Sequence, residues 1–405
     1  MTGVMDGVKV LEVGLFGLVP SAGAVLADWG ADVVKVEHPE TGDPMRGLAA
    51  WGIQPGTGGF NYLWEVCNRG KRSVGVDIAT PAGLELVLGL SEDADVFLTS
   101  FLGPARRRLG IDVEHIRARN PRIVYGRGSG YGPLGPEADA PGFDGVAYWF
   151  RSGMGEAATP AEAAHPAGQP SPAMGDLQTG MNLAGGVAAA LFHRERTGVT
   201  TVVDASLFAA GLWAMQGAIV GSQVAGWQQL PKIDREGVSN PLTITYRTSD
   251  GRHISLMMLS SDRYWRPFCE TIGAPALADD PRFVMARDRY RHSVECVAAL
   301  ESVFARRTLA EWVTVLSHQE GPWSIVQVAG EAGVDDQARA NGYVQRVEYD
   351  QDRALSLIAA PVTFDEAVAP LRPAPAHGAD TEEVLLERGM TWDEIIALKT
   401  EGAIL

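Results

Sequence analysis

The sequence predicts an α/β protein, with a Rossmann-like large domain and a smaller α+β domain. Three observations predict it. Strand and helix signals alternate from the start of the chain to Tyr125. A hairpin pattern centred on Ser249-Asp250-Gly251 breaks that alternation. And 405 residues are too many for one small core.

Val8-Lys9-Val10-Leu11-Glu12-Val13 reads as the first strand, Ser21 to Trp29 as a helix, and Asp32 to Glu37 as the second strand. This βαβ unit opens a largely parallel sheet. Val74 to Asp77 repeats the strand signal, and Thr80-Pro81, a cap followed by proline in the first turn, leads into a helix from Ala82 to Leu90. Asp95 to Leu98 and Arg122 to Tyr125 continue the sheet. Gly126 to Gly145 is a Gly/Pro loop, Glu156 to Pro172 an Ala/Pro linker, and Leu177 to Arg196 a helix ending at Gly198. Thr243–Thr248 and His253–Met257 form the hairpin, with helices at Asp262–Ile272, Ser293–Arg306 and Leu309–Glu320. The domains run 1–224 (large), 225–325 (small α+β) and 326–405, where a strand at Gln345–Tyr349 begins the return to the large domain. There are no internal repeats.

A net charge of −16 argues against nucleic-acid and anionic-membrane partners. Cys67, Cys269 and Cys296 are odd in number and widely spaced, which fits reduced thiols in a cytoplasmic protein. Met1 to Gly7 has no basic or apolar run and reads as lacking a signal peptide. The apolar stretch Ala205–Trp227 is interrupted by Ser206, Gln216, Ser222 and Gln223, so it reads as a buried helix in a large interface, not a membrane span.

Several chemistries fall away. Gly14-Leu15-Phe16-Gly17 lacks the glycine pair of a dinucleotide fingerprint, and Gly130–Gly135 is followed by prolines where a helix should start. None of the eight histidines has metal-ligand spacing, so no metal site is expected. Gly128-Ser129-Gly130 lacks the flanks of a hydrolase elbow. Two basic clusters, Arg69-Gly70-Lys71-Arg72 and Arg106-Arg107-Arg108, suit either a polyphosphate ligand or a solvated face that balances nearby acids. Phe16, Phe143, Trp149 and Phe150 suit either an apolar pocket or the core.

Asp176 lies in Met174-Gly175-Asp176-Leu177, where the linker meets the long helix. A carboxylate there serves either as a helix cap or as a nucleophile toward an activated acyl group.

The ordered set Leu26-Ala27-Asp28-Trp29-Gly30-Ala31-Asp32, Gly42-Asp43-Pro44, Asn68-Arg69-Gly70-Lys71-Arg72, Ser129-Gly130-Tyr131-Gly132, Pro141-Gly142-Phe143-Asp144 and Gly175-Asp176 resembles the class III coenzyme A transferases. Relatives of that family include formyl-CoA transferase and α-methylacyl-CoA racemase. The resemblance implies that Asp176 is the nucleophile and passes through acyl anhydrides and an aspartyl-CoA thioester. It implies acyl-CoA and a small carboxylic acid as substrates, with coenzyme A as substrate and no permanently bound cofactor. It further implies Phe16, Gly17, Leu18, His38, Arg72, Phe101 and Arg108 at the CoA site, and a homodimer of two interlocked rings with sites between domains. Gly17 replaces a glutamine, His38 an arginine of formyl-CoA transferase, and Gly237-Val238-Ser239-Asn240 is the nearest segment to its glycine-rich loop. Two alternatives accompany this reading. The racemase branch needs a histidine base at Phe143, where phenylalanine cannot take a proton. A non-catalytic CoA-binding homologue would fit loss of Asp176, which is present.

Overall fold

A computed structural model describes residues 3–405, apart from 53, 55, 56, 233, 234, 351 and 352. The chain divides into two compact units, one formed by 1–230 with 334–405 and the other by 231–333.

The large unit opens with β1 (Lys9–Val13), α1 (Leu18–Asp28), β2 (Asp32–Glu37), α2 (Tyr62–Asn68), β3 (Arg72–Gly75) and α3 (Pro81–Glu92). β4 (Val96–Thr99), α4 (Gly103–Arg108), α5 (Val113–Arg119) and β5 (Val124–Ser129) follow. After a π-helical turn at Gly145–Phe150 come α6 (Met154–Ala157), α7 (Met174–Thr197), β6 (Val202–Ser206), α8 (Leu207–Ala214) and α9 (Gln216–Ala225). Six parallel strands stand in the order β3-β2-β1-β4-β5-β6. The order reverses between β1 and β4, and the crevice at the carboxyl ends of such strands is where open α/β sheets take ligands. The strands are nearly continuous apolar runs because helices cover both faces. α1 and α7 pack on one face through Val19, Ala22, Leu183 and Val187, and the other face buries Leu11, Val36, Phe97 and Tyr125. Gly180 permits the first contact, since a Cβ there would collide with Ser21 of α1.

The small unit contains β7 (Thr245–Arg247), β8 (His253–Leu256), α10 (Ser261–Thr271), α11 (Ala276–Asp279), α12 (Ala286–Arg291), α13 (Ser293–Phe304), α14 (Leu309–Leu316), β9 (Trp323–Ile325) and α15 (Ala329–Ala332). Its antiparallel sheet β7-β8-β9 covers a core of Tyr246, Phe268, Phe304 and Trp312. The remainder, α16 (Asp336–Ala340), the antiparallel pair β10 (Val344–Asp350) and β11 (Arg353–Ile358), α17 (Thr381–Glu387) and α18 (Trp392–Thr400), belongs to the large unit. There Asp380 accepts from Ser73 N–H at 2.7 Å and Thr381 from Gly75 N–H at 3.0 Å, fastening the tail to β3.

One expectation fails. The stretch Ala205–Trp227 is not a single helix: β6 takes its start, Ser206 caps α8 by accepting from Ala209 N–H, and α8 and α9 meet at a 60° bend. α9 buries no residue against the rest of the protein, and Trp213 and Val224 are 74% and 85% exposed. The apolar composition belongs to an uncovered surface. Among the described residues no single helix is long and apolar enough to cross a membrane.

Buried charges interrupt the apolar strands. Glu12 of β1 and Lys35 of β2 are fully buried and paired at 3.0 Å. Lys35 Nζ also meets Asp43 at 3.0 Å and donates to Gly14 C=O at 2.7 Å, while Lys71 Nζ reaches Glu12 at 2.8 Å and Asn68 at 2.9 Å. Burial works against the Lys35 ammonium, but Asp43, Glu12 and Glu37 outweigh it and hold the charge in place. Removing one member of such a cluster strands the others without a counter-charge. Glu12→Leu is therefore expected to destabilise the protein by about 3–5 kcal/mol, measured as a lower denaturant midpoint at unchanged slope.

Candidate active site

The β1–α1 turn carries Leu15, Phe16 and Gly17 across the sheet's carboxyl end. Its conformation is imposed from several sides. Leu15 N–H donates to Ser100 Oγ at 2.8 Å, and Phe16 N–H donates to Asp43 at 3.1 Å. Phe16 has a φ of +61°, a left-handed conformation that costs a residue with a Cβ roughly 1–2 kcal/mol. Asp43 also accepts from Met45 N–H at 2.9 Å and is itself held by Lys35. The buried charge cluster thus fixes the turn.

Asp176 approaches that turn from α7. Ala173 takes the N-cap position with φ +58° and, being alanine, offers no capping oxygen, which leaves Asp176 as the third helical residue. The cap reading of the motif does not hold: no hydrogen bond to the Asp176 carboxylate occurs among the described residues. Instead, the backbone carbonyl of Asp176 accepts from Ser21 Oγ at 3.0 Å, tying the first turn of α7 to α1. Gly17 has to be glycine here, since an added Cβ would lie 2.6 Å from Asp176 Cγ and closer still to an oxygen. Gly175 plays the same part on the other side, where a Cβ would lie 2.6 Å from the Tyr148 ring and 2.9 Å from Asp144 Cβ. Both close approaches press the carboxylate into protein. Burial, with a smaller contribution from the Asp144 carboxylate, raises the Asp176 pKa from its ordinary 3.8 to about 7. Asp144 is in turn held by Gly145 N–H at 2.8 Å and Gln169 Nε2 at 2.7 Å.

Phe16, Gly17, Leu18, Phe101 and Asp176 line one cavity of about 300 Å³, together with Phe143. The remaining residues expected at the CoA site lie elsewhere. Arg72 begins β3, at the amino end of the sheet, and its guanidinium is taken by Glu387 at 2.7 Å and Asp32 at 3.0 Å. His38 follows β2 on the surface, its Nδ1 accepting from Glu40 N–H at 3.2 Å, and it does not line the cavity. Arg108 ends α4 exposed, with no ion pair among the described residues. Its neighbour Arg106 is paired with Asp112 at 3.0 Å and donates to Phe101 C=O at 2.6 Å. In the first basic cluster, Arg69 pairs with Asp28 at 2.7 Å and Lys71 is buried on Glu12. Most of these cations are therefore internal partners. Trp149 is core, with Nε1 donating to Ala167 C=O, and Phe150 is exposed outside the cavity lining.

Sequence reasoning missed Asp43, Ser100 and the Glu12–Lys35 pair as supports of the turn. The signal was a charge set between apolar neighbours in the middle of a strand, Leu11-Glu12-Val13 and Val34-Lys35-Val36.

The profile of CoA-transferase family III matches residues 5–381. The chain belongs to this family. It is a CoA-transferase, an enzyme that exchanges coenzyme A between carboxylic acids as CoA thioesters. The transferase is 30% identical over 402 residues to (R)-2-hydroxy-4-methylpentanoate CoA-transferase of Clostridioides difficile, covering 99% of each protein. It is 29% identical to cinnamoyl-CoA:phenyllactate CoA-transferase of Clostridium sporogenes, over 100% of its own length and 98% of the other. Its structure is similar to the crystal structure of a CAIB/BAIF family protein from Brucella suis, with a TM-score of 0.80 at 26% identity, covering 96% and 100% of the two proteins. That of Rv3272 from Mycobacterium tuberculosis gives 0.79 at 27% identity, over 94% and 98%.

Two outcomes are expected from the Asp176–Gly17 contact. Gly17→Ala should displace the carboxylate while leaving the fold intact, lowering kcat by about a hundredfold with an unchanged circular dichroism spectrum. The raised Asp176 pKa means the folded state holds a proton that the unfolded state has lost between pH 3.8 and about 7. This group therefore lowers stability as pH rises through that window. Asp176→Asn should melt at the same temperature as the wild type near pH 4 and above it at pH 8, read by paired thermal scans.

Proposed function

We propose that the enzyme moves CoA from an acyl-CoA donor to a small carboxylic acid through covalent intermediates on Asp176. The observation that carries this is the placement of Asp176. It is a carboxylate without hydrogen bonds among the described residues, at a helix start, and the one ionisable group among the residues lining an apolar cavity.

In the first step a carboxylate oxygen of Asp176 attacks the thioester carbonyl carbon. The C–S bond breaks, the CoA thiolate leaves, and an aspartyl–acyl anhydride forms. The thiolate then attacks the Asp176 carbonyl, which releases the donor acid as its carboxylate and leaves an aspartyl-CoA thioester. The acceptor carboxylate attacks that thioester, expelling thiolate and forming a second anhydride. Thiolate attack on the acceptor carbonyl yields the new acyl-CoA and restores Asp176. No redox partner or net proton is needed. Every intermediate is an activated acyl group, so apolar walls that exclude water favour transfer over hydrolysis. The N–H groups of Met174, Gly175 and Asp176 have no intrahelical acceptor, being the first of α7, and are suited to stabilise developing oxyanions.

In this reading the Phe16–Leu18 turn and Phe101 contact the pantetheine arm, and the unpaired Arg108 offers a cation for phosphate. No cofactor is held between turnovers. The 1–230/334–405 unit serves as the CoA-binding large domain and 231–333 as the small domain. The exposed apolar residues Trp213, Val220, Val224 and Trp227 on and beside α8 and α9 support a homodimer, of the interlocked form expected from the family. Buried thiols at Cys67, Cys269 and Cys296 suit a cytoplasmic setting. Phe143, at the position where a racemase needs its histidine, lies edge-on to Phe16 and supplies no base, so proton exchange at the substrate α-carbon is not expected.

Asp176→Ala should abolish transfer while the protein still binds CoA. Hydroxylamine added with acyl-CoA should convert Asp176 to a hydroxamate visible by peptide mass spectrometry. An unmodified peptide under turnover conditions would count against the covalent route. In the wild type the rate of anhydride formation should fall as pH drops through about 7, because protonation removes the nucleophilic form of Asp176.

A further inference from the structure

The walls around Asp176 say which acyl groups suit this enzyme, given the reading of Asp176 as nucleophile. The cavity is mostly apolar, lined among others by Phe16, Leu18, Phe101, Pro141, Phe143 and Leu207, and no cationic group is among the lining residues. The polar side chains in the lining besides Asp176 are two hydroxyls, each already accepting a backbone N–H. Ser100 Oγ accepts from Leu15 N–H at 2.8 Å, and Ser129 Oγ accepts from Gly132 N–H at 3.0 Å. Three cations on neighbouring elements are engaged, Arg106 with Asp112, Arg127 with Asp204 at 2.6 Å and Lys35 inside the buried cluster, while the unpaired Arg108, at the far end of α4, is not among the lining residues. The Phe16 and Phe143 rings, both lining the cavity, meet edge to face with centroids 5.1 Å apart and planes at 88°. Phe143 is 55% exposed although its ring faces this site, so it has little packing role in the core.

We propose that this cavity selects neutral, apolar acyl groups, aryl-alkyl or branched-alkyl monocarboxylates, and rejects acyl groups with a second carboxylate, with the Phe16–Phe143 pair as the discriminating contact. A second carboxylate entering here would give up its water for mostly apolar walls that offer no cation. It would also bring like charge to Asp176, which already feels the Asp144 carboxylate. An aryl or branched alkyl group meets ring edges and methyl groups, the geometry that aromatic pairs prefer. The aromatic pair thus gains on one class of acid, and the missing cation acts against the other.

The test uses the full-length protein and two substrate pairs, 4-methylpentanoyl-CoA with 3-phenylpropanoate and succinyl-CoA with glutarate. New acyl-CoA is followed by mass spectrometry. The wild type should favour the first pair by at least about a hundredfold in kcat/KM. Phe143→Arg, at an exposed position that tolerates polarity, should shrink that ratio by at least about tenfold, through gain on the dicarboxylates and loss on the aryl acid. Equal or better use of the dicarboxylate pair by the wild type would overturn the inference, as would a Phe143→Arg variant that alters both pairs alike. Hydroxylamine trapping separates this from failure of the mechanism. An Asp176 hydroxamate formed more readily from succinyl-CoA than from 4-methylpentanoyl-CoA overturns the acyl-class inference alone. Absence of hydroxamate and of transfer with both pairs overturns the aspartyl route and this inference with it.

Discussion

The site hangs on Lys35. Its ammonium joins three segments that are distant in sequence: Glu12 on β1, the C=O of Gly14 just beyond it, and Asp43 past the end of β2. Asp43 then uses its other oxygen on the N–H groups of Phe16 and Met45. A turn with a phenylalanine at φ +61° would relax if left to itself. Here a fully buried ion cluster opposes that relaxation, and a cluster of that kind tolerates little displacement, since moving one charge leaves the others unpaired in an apolar interior. Lys71, reaching Glu12 from the segment before β3, extends the constraint to a third strand. The strand order places all of this beneath the switch point, where open α/β sheets take ligands, so the buried cluster and the crevice share one region of the sheet.

Rigidity in the turn is what allows Asp176 to be close to it. Gly17 presents bare backbone to the carboxylate, and Gly175 and Gly180 let α7 approach Tyr148 and α1 on either side. Three glycines in contact positions exclude water more effectively than larger residues at greater spacing would. The electrostatic consequence follows directly. A helix start favours a carboxylate by roughly 0.3–1 kcal/mol, yet Asp176 has a raised pKa, so enclosure and the Asp144 charge outweigh the helix. The residue most easily taken for a helix cap is instead an enclosed acid whose oxygens are left open for chemistry.

Much of this was legible in the residues. The βαβ opening, the strand at Asp32–Glu37, the long helix after Met174 and the hairpin at Gly251 follow from periodicity and turn chemistry, because those signals are local. The family motifs also single out Asp176, whereas the close approach of Gly17 to its carboxylate shows only in the fold. The roles of the basic residues did not follow. Arg69, Lys71 and Arg72 form a cationic run on paper, but in the strand-and-turn geometry they point in different directions, to Asp28, to Glu12, and to Asp32 with Glu387. Their partners lie up to 315 positions away in the sequence, and no local pattern reports such a pairing. The same limit explains the stretch around α8 and α9. Composition shows that it is apolar, and only the fold shows that the rest of the protein leaves α9 uncovered.

A carboxylate nucleophile faces two opposed demands. Its attacking form must be charged, which favours a wet or cationic setting, while its anhydride and thioester must survive, which favours a dry one. The arrangement around Asp176 leans toward dryness: apolar walls, no cation among the lining residues, and a pKa of about 7 that still leaves a large ionised fraction near neutrality. A cation beside Asp176 would keep it ionised at lower pH, but it would weaken the nucleophile by stabilising the ground-state charge. It would also offer a docking point for a second carboxylate on the substrate. The absence of that cation links the two properties, so the chemistry expected of Asp176 and the kind of acyl group its cavity admits have the same physical origin.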